Sequence, residues 1–314
     1  PAQRRRPAPA PAAEPTSGLL TQRRCEADAR RTERRAMPTT VDPDYHPRMP
    51  ARHSLMTVHA HPDDETIGTG GVMARYSRAS DRVVCVTCTG GEEGEIVVPE
   101  LDTVDNHARL AEIRAVELAA ALAALGPIES RTLGYRDSGM MGTPPNETPG
   151  NLWTADVDVA AGRLVRLVRE LRPQVIVSYN HFGGYGHPDH IRAAQLAVLA
   201  FERAGDPEWY PEHLADGLET WQPLKRYEIV MDMGRRQEMA ELLEQRGVRS
   251  WLNGDPDETD DQRQGREAFI EQMRQAQGPI TTTVDVADQM ERKLDALRAH
   301  VTQIRPADFF LALT

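Results

Sequence analysis

Residues 59–66 read HAHPDDET and residues 183–190 read GGYGHPDH. In each stretch a histidine is followed directly by proline, and a second ionisable group stands three residues on: His61 with Asp64, and His187 with His190. A tight turn can aim such a pair at one point, as the helix-borne H-E-x-x-H motif does with two ligands and a carboxylate. Zinc takes histidine nitrogen and carboxylate oxygen at about 2.0–2.2 Å, and a catalytic zinc keeps three protein ligands and one open position. His61, Asp64 and His190 would supply that set. Mixed N/O donors also admit Fe2+, Mn2+ or Co2+. Asp63 is adjacent to a ligand without needing to ligate, so it would act as the base that takes a proton from water acidified by the cation. His187 would face the cation from the other side, where an imidazolium would stabilise a tetrahedral oxyanion or protonate a leaving amine. Together these parts describe metal-assisted hydrolysis of an amide. His59 shares a strand face with His61 and reads as a core histidine or a support for the cluster. Glu65 reads as a helix cap, a buried ion-pair partner, or a brace for His190 or the turn.

The elements around these motifs alternate. SLMTVHA (54–60) and RVVCVTCT (82–89) are strands, the first followed by a helical pattern. HARLAEIRAVELAAALAALG (107–126) is a long helix stopped by Gly126 and Pro127. SRTLGY (130–135) is a short strand, 154–171 a helix, QVIVSYN (174–180) a buried strand and 189–204 a helix. Strands alternating with helices imply an α/β fold: a Rossmann-like, mostly parallel sheet with helices on both faces. In such sheets the ligand crevice lies beyond the carboxyl ends of the strands. HPDDE, GGEEGE, YRDSG and YNHFGGYGHPDH each follow a strand directly, so four polar clusters converge on one edge, with one of Glu92, Glu93 and Glu95 shaping the pocket. Residues 54–205 are the catalytic core. Residues 206–314 read as a cap and C-terminal elements completing the same domain, with a strand at 227–233, a helix near 285–301 and the acidic DPDETDD as a solvated loop.

Residues 1–53 differ in kind. PAQRRRPAPAPAAEPTSG has no hydrophobic period, and the first 36 residues carry nine arginines against four acids. Such a segment cannot bury enough apolar surface to offset its ordering entropy and reads as a disordered extension. The net charge of −11 argues against nucleic acid as a partner. No apolar run approaches the roughly 18 residues of a membrane span. Three cysteines are too few for a disulfide framework, which fits a cytoplasmic protein. Cys85 and Cys88, three apart on a strand, face opposite sides and read as packing residues. The oligomeric state is not legible.

The paired HPDDE and HPDH resemble the LmbE-like, or PIG-L, family of zinc-dependent N-deacetylases. CTGGEEGE (88–95), R-x-x-E-L-x-x-A-x-x-x-L-G from Arg114, YRDSGM (135–140), GGYGHPDH and LRAHVTQI (297–304) look like its mycothiol branch. The resemblance implies zinc ligation by His61, Asp64 and His190, Asp63 as general base, and His187 as acid or electrostatic stabiliser. It also implies that Tyr185 is a mobile tyrosine at the substrate and oxyanion. Arg114 would contact the sugar-inositol part and Asp189 would lie near the ligand. On helical spacing alone, Arg114 pairs with Glu112 or Glu117. One position departs from the branch: Gly68 stands where its deacetylase shows serine and its S-conjugate amidase lysine. The implied substrate is a small N-acyl amino sugar, with a thiol conjugate of the mycothiol type as the rival. A nucleotide-binding oxidoreductase fits less well, because Gly68, Gly70 and Gly71 do not complete G-x-G-x-x-G. A non-catalytic metal- or sugar-binding module would need neither Asp63 nor His187.

Overall fold

The computed structural model describes residues 53–312 except residues 80, 249–253, 255–256 and 307. The extension read over 1–53 lies, His53 apart, outside the described residues. Among the described residues, β1 (Ser54–His59), β2 (Arg82–Thr89), β3 (Ile128–Tyr135), β4 (Val175–Tyr179) and β5 (Lys225–Ile229) form one sheet. Its order is β3-β2-β1-β4-β5 and every pairing is parallel. The chain runs outward from β1 to β3, then crosses back to lay β4 on the other side of β1. The order therefore reverses between β1 and β4, the place where open α/β sheets leave a crevice beyond their carboxyl ends.

The helices are α1 (Asp64–Arg78), α2 (Val104–Ala108), α3 (Leu110–Leu125), α4 (Val157–Leu171), α5 (Pro188–Arg203), α6 (Pro211–Ala215), α7 (Arg236–Gln245), α8 (Asp260–Ala276), α9 (Met290–Ala299) and α10 (Phe309–Ala312). The central strands are apolar on both faces, so each face needs a helical cover. On one, Met56, Val58, Val84, Val86 and Ile176 meet Leu164 and Val168 of α4 and Leu196 of α5. On the other, Leu55, Val83 and Cys85 meet Met73 of α1, Leu118 and Leu122 of α3 and Ala296 of α9. Cys88 belongs to the first core and Cys85 to the second. Both are free thiols whose pKa burial pushes far up.

Two local expectations change. The helix read over 107–126 is two helices, because the chain leaves helical geometry at Arg109 (φ −119°, ψ 16°), whose N–H bonds the carbonyl of Asn106 only three residues back. The acidic stretch is not only a loop: α8 starts inside it. Thr259 and Gln262 form a reciprocal capping box, and Asp260 and Asp261 occupy the positive end of the helix dipole. In the C-terminal third, β5 extends the sheet beside β4 and α9 packs on α1 and α3. No helix of the described residues is long and apolar enough to cross a membrane.

Candidate active site

β1 ends two residues before His61, and β4 leads through a glycine-rich loop to His187 and α5. Because the two strands are neighbours in register, Thr57 beside Val177, their exits meet. His61 Nδ1 lies 3.3 Å from Asp64 Oδ2, His190 Nε2 lies 3.2 Å from the same oxygen, and the two nitrogens are 3.3 Å apart. A cation about 2.0–2.1 Å from each of three tetrahedral donors separates those donors by about 3.3–3.4 Å. The spacing thus fits one small metal ion.

The hydrogen bonds behind the rings set what the donors present. His190 Nδ1 lies 3.1 Å from the carbonyl of Gly183, which can only accept, so the ring's proton is on Nδ1 and Nε2 turns a bare lone pair inward. A side chain at Gly183 (φ +66°) would collide with His190 Cβ at 2.6 Å, so glycine lets the loop come this close. His61 Nε2 lies 3.2 Å from Asp189 Oδ2 and 3.5 Å from Asp137 Oδ1, which leaves Nδ1 facing the centre. Burial opposes a second proton on His61, but the hydrogen bonds to Asp137, Asp189 and Asp64 outweigh it and raise its pKa well above the ordinary range. Burial likewise opposes charge on Asp64, and His190 and His61 overcome it, holding that carboxyl well below its usual value. The point between the three donors therefore attracts positive charge. Other nitrogen and oxygen donors lie close. One nitrogen of His187 falls within 4.8 Å of donors on His61 and His190, and His61, Asp137 and Asp189 form a second such group. That second group surrounds the protonated Nε2 of His61 and is met by the N–H groups of Ser138 and Gly139, both at 2.8 Å, so it anchors the ring.

Asp63 caps α1 with φ +114°, a conformation that side chains other than glycine seldom adopt. Its N–H donates to Glu65 Oε2 at 2.9 Å, and its Oδ2 pairs with Arg114 Nη2 at 3.1 Å. Burial raises the Asp63 pKa and Arg114 partly offsets this, leaving it at about 6. His187 Nδ1 accepts the Asp189 N–H at 3.2 Å, so its proton sits on Nε2. Burial first, then His61 and His190, push its pKa down to about 3. It is therefore a neutral ring, not the imidazolium expected from sequence, and a nearby cation would only add to that direction. Tyr185 is 38% exposed on a loop between Gly184 and Gly186, both at positive φ, with its hydroxyl 3.5 Å from His190 Nε2.

Arg114 and Asp189, expected to touch substrate, are 3% and 0% exposed. Arg114 pairs with neither Glu112 nor Glu117 but donates to the carbonyls of Gly91, at 2.8 Å, and Pro62, so it holds two site loops from beneath. Asp189 accepts from Ser138 and His61. His59 is fully buried, with Nε2 2.9 Å from Thr69 Oγ1, and burial lowers its pKa to about 4. Glu65 braces the Asp63 turn, not His190, and Glu92 Oε2 accepts the Asp137 N–H at 2.9 Å. Asp137 escaped the sequence reading as a site residue, although its YRDSG motif was among the four strand-end clusters. Gly68 lies in the body of α1, where a side chain would meet Ile229 Cδ1 at 3.2 Å. Gly71 is helical too, and a side chain there would strike Val286 at 2.8 Å. These glycines serve helix packing and form no phosphate-binding turn.

A family model described as PIG-L, GlcNAc-PI de-N-acetylase, matches residues 56–201. The chain is 45% identical over 270 residues to 1D-myo-inositol 2-acetamido-2-deoxy-alpha-D-glucopyranoside deacetylase 1 of Catenulispora acidiphila, covering 84% of this chain and 79% of that protein. It is 43% identical over 265 residues to deacetylase 2 of the same name from Frankia alni, covering 82% of this chain and 86% of that one. Among solved structures, N,N'-diacetylchitobiose deacetylase from Pyrococcus horikoshii superposes with a TM-score of 0.54 at 21% identity, over 81% of this chain and 71% of that one, a likeness of fold. With identity at this level over more than four-fifths of its length, and the strand-end His/Asp/His cluster within the matched segment, this chain belongs to the PIG-L family of de-N-acetylases.

Proposed function

We propose that this protein is a zinc-dependent N-deacetylase that releases acetate from an N-acetylglucosamine unit carried on inositol. The observation that carries the reading is the convergence of His61 Nδ1, Asp64 Oδ2 and His190 Nε2 to 3.2–3.3 Å, with the ring protons held on the far sides. A divalent cation seated there supplies Lewis-acid polarisation of an amide carbonyl and acidifies water. The two-nitrogen, one-carboxylate donor set suits zinc. Asp137 and Asp189 orient His61, and the Gly183 carbonyl orients His190.

The Asp63 carboxylate, held at the mouth of the site by Arg114, supports the base that takes a proton from the attacking water and returns it to the departing amine. His187 presents Nε2–H from a neutral ring, which supports a hydrogen bond to the carbonyl oxygen as negative charge develops there. The Tyr185 hydroxyl, on its glycine loop, supports a second donor to the same oxygen. Arg114 and Asp189 act through Asp63 and His61, not on the sugar. The names of the relatives support the glucosaminyl-inositol substrate over a thiol conjugate.

The test is metal analysis of the purified protein with an assay of amine and acetate release. The expected result is about one zinc per chain and acetate from 1D-myo-inositol 2-acetamido-2-deoxy-alpha-D-glucopyranoside. Release of a cysteine S-conjugate from a mycothiol-type amide, without acetate release, would replace this reading with the amidase one. No hydrolysis of any N-acyl amino sugar by the metal-loaded protein would reject both.

A further inference from the structure

The LRAHVTQI motif takes no part in the chemistry above, yet its residues 300–303 reach three supports of the site. His300 is fully buried, and its Nε2 lies 2.9 Å from Glu65 Oε1. Glu65 spends its other oxygen on the Asp63 N–H at 2.9 Å. The Thr302 N–H and Oγ1 donate to the two oxygens of Glu117, each at 2.8 Å, and Glu117 lies on α3 three residues from Arg114. Gln303 Nε2 donates to the Glu95 carbonyl at 3.1 Å, and the Val97 N–H donates to the Thr302 carbonyl at 2.9 Å, tying in the GGEEGE loop. Arg114 closes the ring, bonding the Gly91 carbonyl of that loop and the Asp63 carboxylate. Asp63 needs such a frame, because its φ of +114° persists only where the surroundings over-determine it.

We propose that His300, with Thr302 and Gln303 completing the brace, is a positioning residue for Asp63: His300 fixes Glu65, and Glu65 holds the strained Asp63 amide that aims the carboxylate. This rests on Asp63 being the base. A purely structural His300 would anchor α9 to α1 and leave the aim of Asp63 untouched. The two roles separate because aim alters turnover without altering substrate affinity, and because one hydrogen bond, not bulk, carries the effect.

The full chain, loaded with zinc, is compared as wild type, His300→Ala and His300→Gln. Glutamine can place an amide N–H near the position of Nε2. The readouts are kcat and KM for acetate release, zinc content, and hydrogen exchange of the segment 61–67. For His300→Ala the expected result is a fall in kcat of about 10–100-fold, as for residues that orient a site from behind. KM and zinc content stay as in wild type, and exchange in 61–67 is about tenfold faster. His300→Gln recovers most of both effects. Unchanged kcat and exchange in His300→Ala overturns the proposal, as does a glutamine variant no better than alanine. If His300→Ala does not fold, His300→Asn decides, because asparagine keeps a polar side chain there but is too short to reach Glu65 Oε1: a loss of kcat with faster exchange in 61–67 supports the brace, and wild-type kcat and exchange overturn it. The exchange readouts need no substrate, so absence of acetate release by the wild type refutes the deacetylase reading while the brace is still decided.

Discussion

Replacing Arg114 with methionine tests whether Asp63 is the base. Arg114 Nη2 lies 3.1 Å from Asp63 Oδ2, with the guanidinium buried and the carboxylate side chain 17% exposed. Taking charge centres about 4 Å apart and an effective dielectric of about 20, the pair is worth up to ~4 kcal/mol. Solvent reaching the carboxylate screens part of that, so about half is retained, roughly 2 kcal/mol or 1.5 pKa units. Removing a cation disfavours the ionised carboxylate, so the Asp63 pKa rises above its wild-type value by roughly that amount. A base must be unprotonated to act, so the acid limb of kcat/KM shifts upward with it. Well below the limb, the variant's rate relative to wild type should then fall up to about 30-fold below its relative rate on the high-pH plateau. A pH-independent loss will sit on top, because the carbonyls of Gly91 and Pro62 lose their donor. Arg114→Lys separates the two effects: the charge stays, so the limb stays near that of wild type, while the lost fork still slows the reaction. The assay is a pH series of acetate release by all three proteins with metal content verified. An acid limb in Arg114→Met that coincides with wild type would refute the assignment of Asp63 as the titrating base.

Asp189→Asn, which weakens the anchor of His61, should lower metal affinity by about 10–100-fold in a chelator-competition titration, and should also cost the metal-free protein about 1–3 kcal/mol, because the buried amide cannot accept from Ser138 and His61 together. Leu164→Ala, at a fully buried position of α4 in the core beneath the sheet, should cost about 2–5 kcal/mol in urea unfolding without altering zinc stoichiometry. Thr259→Ala should cost about 1 kcal/mol by opening the capping box of α8, read by the same denaturation. Cys85 and Cys88 should resist alkylation in the native state and react once denaturant exposes them, as mass spectrometry of the labelled chain would show.

Much of this molecule is legible in its sequence where the information is local. The strand Arg82–Thr89 falls where the reading places it, and the strand-helix alternation names the fold class, because apolar periodicity reports a strand's or a helix's own geometry. The capping box Thr259-x-x-Gln262 was equally local, and the density of acids around it hid the signal. HPDDE and HPDH declare ligands because proline turns and three-residue spacing are short-range properties. The tertiary structure alone sets β4 beside β1, and that neighbourhood is what turns two separate motifs into one set of donors. It likewise takes Arg114 out of a surface ion pair and puts it under Asp63, gives Asp137 and Asp189 to His61, and joins Glu65 to His300 across 235 residues. A hydrogen bond or an ion pair depends on separation in space and on exclusion of water. Residue type and spacing along the chain state which groups are available, and only the packed sheet and helices determine which of them meet.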